Sequence, residues 1–307
     1  MTKQQIYWHT TVQMPDDKNL IPIPEKVDVA IIGGGFTGLS AARTLAKCNM
    51  NVAVLEANTI GWGASSRNGG MTLTGLKLGM GTVLKKYGKD IAQQLFQYSL
   101  DSVDTVEQIV KEENIDCGFK RYGHLLTANK PKHFDYLKEE VEFMEREFNH
   151  KTKLIHPKDL KNEIGSEIYH GGLIDEVSGG LNPAQYVTGL AKAAEKAGAK
   201  LCAQAQVTKL EQREKRFFIQ TKRGNLIAEK VLVGTSGYTS EVTKKLQRKI
   251  IPIGSFIIAT EKLSDELANE LSPNNRMIFD YKHYLNYFRL WDNRMIFGGR
   301  AAFFPEK

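Results

Sequence analysis

The chain has 307 residues, 41% hydrophobic and 25% charged, the balance of a globular protein with a sizeable core. Its 42 Lys and Arg against 35 Asp and Glu give a formal charge of +7, but the excess is dispersed, which argues against a nucleic-acid module. Cys48, Cys117 and Cys202 are widely spaced and form neither a C-x-x-C motif nor a disulfide framework, and no apolar run is long enough to cross a bilayer. The expectation is a cytoplasmic protein with no transmembrane segment, no nucleic-acid partner and no metal site.

An arm over residues 1–26 carries Pro15, Pro22 and Pro24. Val27 to Ile32 is a short apolar run ending in glycines, as a buried parallel strand should be. A helix from about Thr37 to Lys47 and a strand from Asn51 to Leu55 complete a βαβ unit, with Asn49 supplying a left-handed turn between them. After a glycine-rich stretch, Ile91, Leu95, Tyr98, Val106, Ile109 and Val110 fit the buried stripe of a long helix. Phe134, Leu137, Val141, Met144 and Phe148 mark a second helix, with a strand at Tyr122 to Ala128 between the two. Asn182, Pro183 and Gly198 bracket a third.

Strands are then expected at 200–206, 208–211, 216–221, 225–228 and 230–234, followed by one at 250–260 and a helix near 264–271. A hairpin closes the pattern, from Leu285 to Leu290 through Trp-Asp-Asn to Arg294 to Phe297. The fold class is α/β, a Rossmann-like nucleotide-binding domain interleaved with an antiparallel-sheet α+β substrate domain. The expected division is 27–85 and 183–245 for the first, 86–182 and 246–307 for the second.

Gly33-Gly34-Gly35-Phe36-Thr37-Gly38 satisfies G-x-G-x-x-G after a buried strand and at the start of a helix, with Glu56 about 20 residues on. Gly33 permits the tight turn, Gly35 admits a pyrophosphate, and Gly38 lets helix and strand pack closely. The helix N-terminus offers N–H donors to phosphate, and Glu56 offers acceptors to ribose hydroxyls and disfavours NADP. A second glycine loop, Gly61-Trp62-Gly63-Ala64-Ser65-Ser66-Arg67-Asn68-Gly69-Gly70, stands where an NAD dehydrogenase would continue into another βα unit.

Together, Asp28 to Glu56 and Gly61 to Gly70 resemble the D-amino-acid-oxidase-type FAD oxidoreductases, the family of glycine and sarcosine oxidase. Tyr7-Trp8-His9, Gly180 to Ala184, Leu232 to Thr239, Ile251 to Ser255 and Arg294 to Arg300 are similar to its γ-glutamylputrescine oxidoreductase-like members. The resemblance implies FAD held by Gly33, Gly35, Phe36, Thr37, Gly38, Glu56, Ala57, Ala64, Ser65, Ser66, Arg67, Asn68, Gly69, Gly70, Val207, Thr235 and Gly237. For Val207 and Thr235, ordinary sheet packing is an equal reading.

The implied reaction is oxidation of a primary or secondary amine or amino acid, with hydride passing to flavin N5 and the imine then hydrolysing. O2 or another acceptor would take the electrons. Arg289 matches the family's carboxylate-binding position, although an Arg beside a hairpin turn is equally compatible with solvation. Tyr287 and His283 are further candidate catalytic residues, and Phe256 and Tyr284 candidate pocket walls. The family pattern continues beyond Lys307 into a closing strand, glycine loop and helix, so the expectation is a C-terminally shortened chain with weakened FAD binding. The alternatives are an NAD-dependent dehydrogenase and a catalytically inactive nucleotide-binding module.

Overall fold

A computed structural model describes residues 5–15, 19–282 and 284–302. The βαβ unit forms as its pattern requires: β1 (Lys26–Ile32), α1 (Phe36–Lys47) and β2 (Val52–Leu55). Four of four residues in β2 are buried, the mark of a strand covered on both faces. Asn49 makes the turn between α1 and β2 at φ 61°, where Asn is tolerated.

The chain then leaves this sheet through β3 (Met71–Thr72), α2 (Met80–Tyr87), α3 (Lys89–Glu112), β4 (His124–Thr127) and α4 (Pro131–Phe148). Short strands β5 (Lys153–Ile155), β6 (Gly172–Asp175) and β7 (Gly179–Gly180) lead to α5 (Pro183–Lys196). Helix α5 begins where the sequence places it, with the Asn182 side chain accepting from the Ala184 and Gln185 amides at 3.1 Å each. Next come β8 (Lys200–Cys202), β9 (Val207–Arg213), β10 (Arg216–Thr221) and β11 (Gly224–Val233). After α6 (Lys244–Gln247) the chain forms β12 (Gly254–Ala259), α7 (Asp265–Leu271), β13 (Met277–Asp280), β14 (Tyr287–Trp291) and β15 (Arg294–Ala302).

One sheet runs β8-β2-β1-β11-β10-β9 and a second runs β12-β15-β14-β13-β4-β6-β5, with β3 paired to β7 between them. In the first, β8, β2, β1 and β11 are parallel, and β10 and β9 extend it antiparallel. The split expected between 225–228 and 230–234 is absent. Strand β11 is continuous because β1 pairs with it from Ile227 to Val233 while β10 pairs with its first half. The polar Glu229 and Lys230 mark only the point where the second partner ends.

Helices α1 and α5 cover one face of the first sheet, burying Leu39, Ala42, Val187 and Leu190 against Ile31 and Val54. Arg43, buried on α1, reaches Glu113 Oε1 at 2.7 Å and Glu112 Oε2 at 2.5 Å, tying α1 to the end of α3. The stripe expected on α3 is displaced. Ile91 and Tyr98 are 49% and 66% exposed, and the buried line is Ala92, Phe96, Ser99, Val103 and Ile109. Small residues win because α2 and the preceding loop approach closely: Met80 and Val83 pack on Ala92 and Phe96, and the Gly75 amide donates to Ser99 Oγ at 2.9 Å.

No helix among the described residues is long and apolar enough to cross a membrane. A buried polar cluster anchors the second sheet. His124 and Asp175 face each other across β4 and β6, and Asp175 accepts from His150 Nε2 at 3.1 Å, from Thr74 Oγ1 and from the Val177 amide. Burial pushes the His124 imidazole down to about 4, against the opposing pull of the Asp175 charge.

The unfolded chain, titrating near 6.5, therefore binds the His124 proton first as pH falls. The stabilisation is complete above about pH 6.5 and drains away towards pH 4. Melting temperatures measured across that window should fall for the native chain and fall less for His124→Phe. Parallel curves for the two proteins would contradict this assignment.

Candidate functional site

The site begins where β1 ends. Gly33 sits at φ +107°, and a Cβ there would lie 2.7 Å from the Gly234 carbonyl oxygen. Its amide donates to Leu55 O at 2.9 Å. A Cβ on Gly38 would run into the Gly33 carbonyl oxygen and approach Ile31 Cγ2 to 3.2 Å, so α1 rests directly on the turn.

Two bonds then strap the second glycine loop over the first. The Phe36 amide, at the start of α1, donates to Ser65 Oγ at 2.9 Å, and the Gly61 amide donates to Gly34 O at 2.9 Å. The same hydroxyl would lie 2.7 Å from a Cβ on Gly35, so a side chain there would have to push Ser65 Oγ from its bond with the Phe36 amide. Glu56 accepts from the Gly34 amide at 2.7 Å and from the Asn58 amide at 2.9 Å. Both its oxygens are thereby fixed at the strand end, each with a lone pair still to offer.

A cavity of about 470 Å³ opens over this turn. It is lined by Gly33, Gly35, Phe36, Thr37, Glu56, Ala57, Ala64, Ser65, Val207 and Thr235, all expected from the sequence. Sequence reasoning did not assign Trp62, Ser236, Tyr238, Val242 or Thr243 to the cofactor, and these also line it. Trp62 and Tyr238 meet edge-on on the cavity wall, with ring centroids 5.6 Å apart. The signal for Tyr238 lay in the Leu232 to Thr239 run, whereas Val242 and Thr243 carry no spacing that could have revealed them. Gly38 lies behind the turn, and Gly237 borders open space, with no atom within 4 Å of where a Cβ would stand.

A family model described as FAD dependent oxidoreductase (DAO) matches residues 28–307. The chain belongs to this family. Among curated relatives, the probable oxidoreductase OrdL of Haemophilus influenzae is 35% identical over 284 residues, 91% of this chain and 66% of that protein. The gamma-glutamylputrescine oxidoreductase of Escherichia coli K12 is 34% identical over 278 residues, 90% of this chain and 65% of that protein. The chain thus spans just under two thirds of the length of these relatives. Glycine oxidase from Geobacillus kaustophilus shares the fold, with a TM-score of 0.73 at 20% identity over 91% of this chain and 72% of that one.

FAD is the cofactor of a DAO-family oxidoreductase, and the residues present fit its adenosine and pyrophosphate half. The turn is made of glycines whose missing Cβ atoms leave backbone within reach. Glu56 stands at the strand end as an acceptor for ribose hydroxyls, and the cavity has the volume of a cofactor pocket. NAD, the alternative cofactor, is set aside by the family match.

The remainder of the second loop, Ser66 to Gly70, does not line that cavity. Ser66 is fully buried. Arg67 lies over the Trp62 ring at 4.5 Å and donates to Trp62 O, and its Nε has no hydrogen-bond partner among the described residues. Asn68 braces the loop from within, donating to Ala64 O and Ser65 O and accepting from the Gly70 amide at 2.8 Å. Gly70, at φ +66°, is packed against Leu181 O.

Arg289 comes to this loop from β14. It is 0% exposed, so the solvated reading is corrected: β14 carries the guanidinium inside, beside Gly70 and Gly180. Nη1 donates to Gly70 O at 2.7 Å and Leu181 O at 3.1 Å, while Nη2 has no hydrogen-bond partner among the described residues. Burial lowers its pKa to about 10. Tyr287 lies against the other side, with a ring carbon 3.2 Å from a Cβ position on Gly69 and its hydroxyl 3.3 Å from Ser255 Oγ. Ser255 and Phe256 line a second cavity of about 950 Å³ between β12 and the N-terminal arm, with Arg67 on its wall. Tyr284 is exposed, and His283 lies outside the described residues.

Proposed function

We propose that the chain oxidises a primary or secondary amine, or an amino acid, with FAD. The observation that carries this reading is the locking of two glycine loops over one cavity, Phe36 amide to Ser65 Oγ and Gly61 amide to Gly34 O. Bound FAD would supply the two-electron acceptor for oxidation of the carbon bearing the substrate nitrogen, and water would hydrolyse the imine product. The chain's own residues bind and orient. Gly33 to Gly38 and Glu56 hold the dinucleotide, and Asn68 to Gly70 form a narrow backbone wall fixed by Arg289. Tyr287 and Ser255 present two hydroxyls from the sheet facing that wall, suited to an amine nitrogen or a polar substrate tail.

A γ-glutamylated diamine is the substrate class suggested by the name of the Escherichia coli relative. O2 or another small acceptor would reoxidise the flavin. The test is a visible spectrum after adding FAD and desalting, followed by anaerobic addition of γ-glutamylputrescine, putrescine, sarcosine and glycine. Retained flavin bands that bleach with one of these amines are expected. Tyr287→Phe should lower kcat/KM for that amine about tenfold, the worth of one hydrogen bond to a charged or reacting group. Bound FAD that no amine reduces would sink the amine reading while leaving the cofactor in place.

A further inference from the structure

The N-terminal arm closes on the second glycine loop from outside. The family match begins at Asp28, so the arm lies outside the matched residues, and the reaction proposed above makes no use of it. Trp8 is 3% exposed and packs with Ala184 and Ile296, its ring edge-on to Trp291 at 5.7 Å. Its indole Nε1 donates to Asn68 O at 2.8 Å. Three residues on, Thr11 Oγ1 accepts from the side chain of Asn182, the cap of α5, at 2.7 Å.

These anchors fix the backbone on both sides of His9, whose Nε2 stands 2.8 Å from Ser66 Oγ. Ser66 is sealed from water and adjoins Ser65, the residue that takes the Phe36 amide and lines the cofactor cavity. A run of bonded or covalently adjacent groups therefore connects His9 to the start of α1.

We infer that His9 is a positioning residue of the FAD site: by holding the buried Ser66 hydroxyl, it fixes the backbone of Ala64 to Arg67 in the shape that grips the cofactor. The inference rests on the FAD reading of the cavity. A buried hydroxyl has three staggered rotamers and needs a partner, and the imidazole selects one of them. Burial first, and the Arg67 charge second, lower the His9 pKa, which favours the neutral ring, in which one nitrogen can accept. The arm thus acts as a clasp, with Trp8 and Thr11 as its fixed ends and His9 as the contact that sets the loop.

The experiment uses the full chain and its His9→Ala, His9→Gln, Ser66→Ala and doubly substituted variants. Three quantities are read: FAD affinity by quenching of flavin fluorescence, the absorption band of the bound flavin, and amide exchange of Ala64 to Asn68 without FAD. His9→Ala should weaken FAD about tenfold, displace the flavin band and speed loop exchange, the scale of one buried hydrogen bond lost. His9→Gln, which keeps an amide within reach of Ser66, should recover most of the affinity. Ser66→Ala should match His9→Ala, and the double variant should be no weaker than either single one.

The inference is overturned if His9→Ala leaves affinity, band and exchange unchanged, or if the two single effects multiply in the double variant. Should His9→Ala fail to fold, Ser66→Ala and His9→Gln carry the same comparison. A native chain that takes up no FAD would instead defeat the FAD reading. Loop exchange in the apo protein would then decide by itself whether His9 sets the loop.

Discussion

Replacing Gly38 by Ala is expected to abolish FAD retention and to lower the melting temperature by several degrees. In an exposed helix the same change stabilises by about 1 kcal/mol, because Ala is the better helix former. Here the added methyl meets the Gly33 carbonyl oxygen, with the Gly33 carbonyl carbon and Ile31 Cγ2 both at 3.2 Å behind it. None of these can retreat. Gly33 is bonded to Leu55 O and backs onto Gly234 O, and Ile31 is buried between β2 and β11.

Relief must come from lifting α1 off β1. The overpacking costs on the order of 1–3 kcal/mol or more, and it displaces the Phe36 amide from Ser65 and the phosphate-facing helix end from the turn. Gly79→Ala provides the control, since no atom lies within 4 Å of its Cβ position and its φ is ordinary. Thermal melts and FAD titration of both variants check the claim. A Gly38→Ala protein that holds FAD like the native chain would refute the close-packing role.

That turn was legible in the sequence because its determinants are local. A buried parallel strand, three glycines at fixed spacing and an acid at the next strand end lie within thirty residues of one another, and each answers to its own steric or hydrogen-bonding need. The second glycine loop was legible for the same reason. What the sequence concealed depends on partners far along the chain. Strand β6 pairs with β4 and β5, and β4 pairs with β13, some 150 residues on. The four residues of β6 are buried without alternation, and β7 is two glycines, so neither has a period to detect. On α3 the large apolar residues misled, because tight approach of α2 and the Gly75 loop selects Ala92 and Ser99 for the inner face.

The candidate site divides along the same line. Its floor is motif; its far wall, from Trp62 to Thr243, is assembled by tertiary packing. His9 could be seen in the sequence only as part of a resemblance. Its bond to Ser66 spans 57 residues and becomes visible only once Trp8 is seen docked beside Trp291.

Arg289 is the residue on which sequence and structure pull hardest against each other, and its substitution should be the most informative. A carboxylate grip of the usual kind needs two parallel N–H groups. In this fold Nη1 is already committed to Gly70 O and Leu181 O, Nε reaches Leu290 O at 3.4 Å, and only Nη2 remains. The guanidinium also fills the space beside Gly180, where a Cβ would come within 2.6 Å of Nη1. These contacts make Arg289 a clamp between β14, β7 and the loop behind Gly69, with Nη2 the one nitrogen left to donate to a substrate. Arg289→Met keeps much of the volume and removes the donors, leaving Gly70 O with the Leu181 amide alone and taking the guanidinium donor from Leu181 O.

FAD affinity should consequently fall roughly 10–100-fold, about 1.4–2.7 kcal/mol, with a displaced flavin band. Arg289→Lys should do little better, since its ammonium stops one bond short of the Nη1 position and brings a compact, strongly hydrated charge into the same buried site. The carboxylate-binding role predicts the opposite division: intact FAD binding, with KM rising for amino acids and unchanged for amines that lack a carboxylate. Measuring FAD affinity beside KM for a matched pair of such substrates separates the two. Because both carbonyls belong to the protein's own backbone rather than to the substrate, the clamp should dominate, and the preference between the two substrates should move by less than about threefold.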